Sequence, residues 1–158
     1  MRLDGIPLPR ISPFAVSVHG NPQAVREALR RIMLGLSPLA LPDEERTAVE
    51  LAIAEVLNNV VEHAYPEGGP DATVDIACSH ENDGLHILIR DRGEPMRDEK
   101  LPQMIERSVD VATADLPESG FGWWMIAALT KDLKYRREGG ENYLSFRVPV
   151  GQKGCEDG

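Results

Sequence analysis

Apolar residues recur at helical spacing along two long stretches of the chain and alternate with polar ones along several short ones. Residues 14–18 (Phe-Ala-Val-Ser-Val) alternate and are rich in β-branched side chains, which predicts a first strand. Asn21 and Pro22 read as a helix cap and first helical position, opening a helix that runs to about Gly35. Val25, Leu29, Ile32 and Met33 share one face of it, while Arg26, Arg30 and Arg31 lie elsewhere. After breaks at Pro38 and Pro42, a longer helix is predicted over 43–65, with Asp43 as its cap and Glu44 and Glu45 at the positive end of its dipole. Its core stripe is Val49, Ile53, Val56, Leu57, Val60 and Ala64. The opposite stripe begins apolar, at Ala48, Leu51 and Ala52, and turns polar at Glu55, Asn59, Glu62 and His63. A helix covered on both sides that turns polar partway predicts a pocket wall; ordinary solvent-exposed residues are the plainer alternative.

Two glycines within 66–70 end that helix, and strands are predicted over 73–79 and 85–90, joined by the hairpin signal Asn82-Asp83-Gly84. A long connection over 94–118 carries a short predicted helix around 102–109, followed by an apolar helix over 121–129. A last hairpin pairs 132–137 with 143–150 across Glu138-Gly-Gly-Glu141. Strands joined by hairpins, outnumbering the helices, predict an α+β two-layer sandwich: a mixed, mainly antiparallel sheet with helices on one face. The expected organisation is a proline-rich arm over 1–12, one domain over 13–150 and a polar tail over 151–158.

Composition narrows the function classes. A chain of 158 residues suits one domain with its own core. A net charge of −9 disfavours binding to nucleic acid, which needs a basic surface, and suits either solubility or a basic protein partner. Cys78 and Cys155 form neither a disulfide framework nor a metal-ligand pattern. There is no apolar run of about 18 residues, and residues 1–10 hold proline and charge where a secretion signal needs an apolar centre. A cytoplasmic, membrane-free protein is the expectation.

Three elements carry candidate chemistry. Glu55 and Asn59 are four apart on the long helix and project within roughly 40° of each other. Asp91-Arg92-Gly93 leaves an apolar strand; its carboxylate is either a turn residue or an acceptor for a ligand amine such as that of adenine, with Gly93 letting the backbone pass close to a ring. Ser119-Gly120-Phe121-Gly122 precedes an apolar helix, where backbone N–H groups suit an anion. A lone Gly-x-Gly is weak evidence. It is no dinucleotide fingerprint, and the chain has no phosphate-loop lysine motif.

Taken in order, these boxes resemble the GHKL ATPase superfamily, and within it the anti-sigma-factor serine/threonine-protein kinases of bacterial partner-switching systems. Residues 54–65 (Ala-Glu-Val-Leu-Asn-Asn-Val-Val-Glu-His-Ala-Tyr) look like the first box of that group and residues 118–126 (Glu-Ser-Gly-Phe-Gly-Trp-Trp-Met-Ile) like the last, the likeness spanning roughly 16–150. The resemblance implies the histidine-kinase-like ATP-binding fold, with ATP and Mg²⁺ as cofactors. It makes Glu55 the catalytic general base and Asn59 both the metal ligand and part of the nucleotide site. His63, Asp91, Gly93, Met96, Ser119, Gly120, Phe121 and Gly122 would complete the cofactor-binding set, with 94–118 as a lid. The implied partners are an anti-anti-sigma protein as phosphoacceptor, a sigma factor, and a second copy of the chain in a homodimer, with the first strand and helix as the candidate contact.

Departures from the group's pattern leave alternatives open. Glu118 stands where some relatives carry a basic residue for the γ-phosphate, with Arg92, Arg97, Lys100 and Arg107 as substitutes, and Asn142 and Tyr143 stand where many carry a threonine near the base. A nucleotide-binding partner-switch module with weak or no transfer is one alternative. A histidine-kinase-like catalytic domain is another, for which His19, His63, His80 and His86 offer no suitable phosphoacceptor helix.

Overall fold

The computed structural model describes residues 11–69, 71–96 and 118–151, with backbone only at 118–122. Five strands, β1 (Phe14–His19), β2 (Thr73–Glu81), β3 (Gly84–Asp91), β4 (Lys131–Glu138) and β5 (Glu141–Val148), form one sheet in the order β1-β2-β3-β5-β4. Each neighbouring pair is antiparallel, so the expectation of a mixed sheet is corrected to a purely antiparallel one among the described residues. Hairpins join β2 to β3 and β4 to β5, which is why no parallel crossover arises there. Gly139 and Gly140 both take positive φ, 61° and 79°, the conformation that a tight two-residue hairpin demands.

Among the described residues three α-helices, α1 (Pro22–Leu36), α2 (Asp43–Ala64) and α3 (Glu118–Leu129), complete the α+β layer arrangement, with α2 packed against both α1 and α3. Alternation explains the face they cover. Val74, Ile76 and Cys78 of β2, Ile87 and Ile89 of β3, and Leu144, Phe146 and Val148 of β5 are buried, and they form one core with Ile32 of α1 and Val49, Ile53, Val56, Leu57 and Val60 of α2. Burial drives the Cys78 thiol up to about 12, leaving it an inert core side chain. On the opposite face Ser17, Asp75 and Arg90 make a cross-strand ladder, Arg90 Nη2 lying 2.6 Å from Asp75, and the Arg136 guanidinium stacks 4.0 Å over Tyr143. A shallow groove on that face runs across Ala15, Ala77, Leu88 and Ser145, with the sheet between it and Asp91.

Helix boundaries refine three expectations. Asn21 caps α1 as its sequence suggests, its side-chain oxygen accepting from the Ala24 N–H at 2.9 Å. On α2 the cap is Pro42, which makes no side-chain cap bond; Asp43 is the first helical residue and pairs with Arg46 instead. Helix α3 begins at Glu118, so Ser119-Gly120-Phe121-Gly122 form its opening turn rather than a loop before it. Glycine tolerates helical angles at modest cost, and the apolar run after it extends the helix back to Glu118, an acidic residue at the positive end. Leu51 is another correction: it is 43% exposed, so only Ala52 and half-buried Ala48 cover the second side of α2. The expected helix around 102–109, Arg97, Lys100 and Arg107 and the terminal segments 1–10 and 152–158 lie outside the described residues. No helix among the described residues is long and apolar enough to cross a membrane.

Candidate functional site

The last turns of α2 run beside the end of β3, and the two are fastened together by backbone. Ala64 O accepts from Glu94 N at 2.9 Å, and a β-carbon on Gly93 would lie 2.2 Å from that same oxygen. Only glycine permits this approach, a steric reason that stands beside the ring-floor role expected from the sequence. Tyr65, just past the helix, donates its hydroxyl to Thr73 O at 2.7 Å and accepts from Arg92 N at 2.9 Å, tying the helix end to β2 and to the strand exit.

Asp91 ends β3 facing the helices and is 6% exposed. Its Oδ1 accepts from Gly93 N and from Asn142 Nδ2, both at 2.8 Å, while Oδ2 takes no hydrogen bond from the described residues. Burial pushes its carboxyl above the usual carboxylate range, opposed by the Asn142 and Gly93 hydrogen bonds and by the Arg137 charge. The carboxylate is thus aimed by one oxygen and open at the other, as an acceptor for a ligand N–H has to be.

Asn59 lies on the buried side of α2, at 7% exposed. Its Nδ2 donates to Glu55 O at 2.7 Å, one turn back, so the amide is held with its carbonyl Oδ1 left unbonded among the described residues. An oxygen presented this way suits a hard cation, whereas an amide N–H would not. Among the described residues no group of three or more His, Cys, Asp or Glu side chains could hold a metal by itself, so a cation here would depend on oxygens brought by a ligand. Glu55 is half-buried one turn before Asn59, and His63 is exposed one turn after it.

The expected site residues therefore fall into three groups. Glu55, Asn59 and His63 share the polar ledge of α2, and Asp91, Gly93 and half-buried Met96 cluster at the exit of β3. Met96 contributes backbone there, its N–H donating to Tyr135 Oη at 3.1 Å. Ser119, Gly120, Phe121 and Gly122 lie in the first turn of α3, and α3 packs on α2. Of the basic candidates for a γ-phosphate, Arg92 is paired to Glu141 at 2.9 Å. Sequence reasoning missed Tyr135 and Arg137 as part of the site, and it took Asn142 only as a departure at a position where many relatives carry a threonine near the base. Asn142 occupies the inward phase of β5 beside Leu144, Phe146 and Val148, and a polar residue in that phase was the available signal.

A five-stranded antiparallel sheet with helices packed against it is the architecture of a histidine kinase-like ATPase domain. The chain belongs to the histidine kinase-like ATPase domain family, whose model matches residues 18–148. It is 31% identical over 93 residues to the serine-protein kinase RsbW of Oceanobacillus iheyensis, covering 58% of this chain and 58% of that protein. To the sensor protein LytS of Staphylococcus haemolyticus it is 33% identical over 58 residues, 37% of this chain and 10% of that one. The chain thus matches little more than half the length of RsbW and a small part of LytS. Two solved structures share the fold. One contains the RsbU and RsbW domains of a Mycobacterium tuberculosis protein, with a TM-score of 0.60, 17% identity and coverage of 88% of this chain and 32% of that one. The other is the SiaB–SiaC complex of Pseudomonas aeruginosa, with a TM-score of 0.59, 18% identity and coverage of 89% of each chain.

Proposed function

We propose that the chain is an ATP-dependent serine/threonine-protein kinase and anti-sigma factor, which phosphorylates an anti-anti-sigma protein and sequesters a sigma factor. The observation that carries this reading is the pair of poised acceptors, Asp91 Oδ2 at one end of the site and Asn59 Oδ1 at the other, each held by hydrogen bonds through its partner atom. The relatives named serine-protein kinase RsbW support the partner-switching assignment. A cytoplasmic protein that meets a basic sigma surface agrees with the net charge of −9.

In this mechanism Asp91 accepts the exocyclic amine of adenine on Oδ2. Asn59 would hold Mg²⁺ through Oδ1, and the chemistry a bound cation would supply is neutralisation of phosphate charge. Glu55 takes the proton of the attacking serine or threonine hydroxyl, and the opening turn of α3 offers backbone N–H groups to the phosphates. His63, exposed on the same ledge, borders the phosphate end. A homodimer is proposed as the functional unit, on the resemblance alone. A nucleotide-binding module with little transfer is the second reading, favoured by the engagement of Arg92 with Glu141.

Calorimetric titration with ATP, with and without Mg²⁺, tests the site, and transfer of labelled γ-phosphate to an anti-anti-sigma protein tests the activity. The kinase reading expects Mg²⁺-dependent binding and label transfer that Glu55→Ala abolishes without loss of nucleotide affinity. Binding without transfer would select the second reading, and no binding would refute both.

A further inference from the structure

Asp91 and Asn142 are directly paired residues of β3 and β5, and both face the helix-covered side, 6% and 5% exposed. A buried amide is costly unless all its valences are met. Those of Asn142 are met in full. Nδ2 donates to Asp91 Oδ1 at 2.8 Å and to Glu94 O at 2.9 Å, while Oδ1 accepts from Tyr135 Oη at 2.6 Å and from Arg137 Nη1 at 2.9 Å. Arginine can only donate, so the amide has one possible orientation, with its N–H₂ toward Asp91. The same hairpin holds the chain leaving Asp91: Arg137 Nη1 donates to Gly93 O at 2.8 Å, and Tyr135 Oη accepts from Met96 N.

We propose that Asn142, its amide fixed by Tyr135 and Arg137, is the positioning residue for base selectivity: it engages Oδ1 of Asp91 and so leaves Oδ2 as the single acceptor, favouring a 6-amino purine over a 6-oxo purine. This rests on the nucleotide reading of the site. A 6-oxo group would set its own acceptor against Oδ2, with neither lone pair satisfied, unless Asp91 were protonated. The pH dependence follows. An ionised Asp91 accepts the amine, so ATP affinity falls as pH drops through its pKa, while a 6-oxo nucleotide gains. Loss of the Asn142 donor removes stabilisation of the ionised form, so the crossover moves to higher pH. Tyr135 and Arg137 of β4 are the ionisable side chains that meet Asn142 beside Asp91, and Arg137 is the one whose charge acts on Asp91.

The test is equilibrium titration of the full chain with ATP and with inosine triphosphate from pH 5 to 8, in the wild type, Asn142→Ala and Tyr135→Phe. The wild type should prefer ATP by about 100-fold at neutral pH, and Asn142→Ala should cut that ratio by about tenfold while moving the midpoint up by about one pH unit. Tyr135→Phe keeps the ring and loses one hydroxyl, so it should shift both readouts the same way, with the ATP preference falling by about threefold. A folded Asn142→Ala protein with the wild-type ratio and midpoint overturns the proposal, even if its stability has dropped. Should Asn142→Ala fail to fold, an unchanged Tyr135→Phe protein overturns it equally. A wild type that binds neither nucleotide refutes the nucleotide reading itself, and the proposal with it.

Discussion

The two ends of the candidate site are built differently. At the exit of β3, Asp91, Asn142, Arg137, Tyr135 and the backbone of 93–96 form one closed hydrogen-bond network drawn from three strands. On the α2 ledge the described residues contribute one hydrogen bond, Asn59 to Glu55 O, beside a half-buried Glu55 and an exposed His63. On the proposed reading, the base end is organised before any ligand arrives, whereas the phosphate end presents groups whose geometry a ligand and a cation would complete. Recognition of a fixed planar ring rewards the first arrangement, since little is left to order on binding. Phosphoryl transfer suits the second, because positioning and charge neutralisation are supplied jointly with the metal.

Substitutions at each end should break different things. Glu55→Gln should have the largest effect, lowering phosphate transfer by about 10²–10⁴-fold while ATP affinity holds, as read by label transfer beside calorimetry. Gly93→Ala drives a β-carbon into Ala64 O and should lower folding stability by roughly 2–3 kcal/mol in denaturant titration, loosening the base end from α2.

Asp91→Asn should weaken ATP binding by about 10–100-fold, because Oδ2 becomes an N–H₂ donor while Oδ1 still accepts from Gly93 and Asn142. Stability should move the other way. The carboxyl of Asp91 is raised in the folded protein, so its contribution favours folding at low pH and is lost as pH rises through the folded value. The variant lacks that loss, so its stability relative to the wild type should grow from pH 4 to pH 8 in paired denaturation curves. Arg90→Ala, on the far face of the sheet, should have the smallest effect. It breaks a partly exposed pair with Asp75 and should cost about 1 kcal/mol or less, with ATP affinity unchanged.

The same contrast governs how much could be read from the sequence. The α2 ledge is local: Glu55 and Asn59 are one helical turn apart, and periodicity alone brings them together. The β-hairpins, the Asn21–Pro22 helix start and the position of Asp91 at a strand end were legible for the same reason. The base-end network was not, because the bonds that tie β4 and β5 to the exit of β3 join residues 39 to 51 apart in the chain. The predicted last strand begins at Tyr143, two residues late, so Asn142 is singled out only as a departure from a threonine position and its inward phase goes unread. The start of α3 is misplaced because two glycines within four residues read as a loop, whereas the helix begins at Glu118.

One titration tests the division most directly: ATP binding to Asp91→Asn and to Asn59→Ala, each measured by calorimetry with and without Mg²⁺. Asp91→Asn should weaken binding by the same factor in both conditions, while Asn59→Ala should remove the Mg²⁺-dependent part and spare the rest. Equal loss of Mg²⁺ dependence in both variants, or none in either, would contradict a site divided between a base end and a phosphate end.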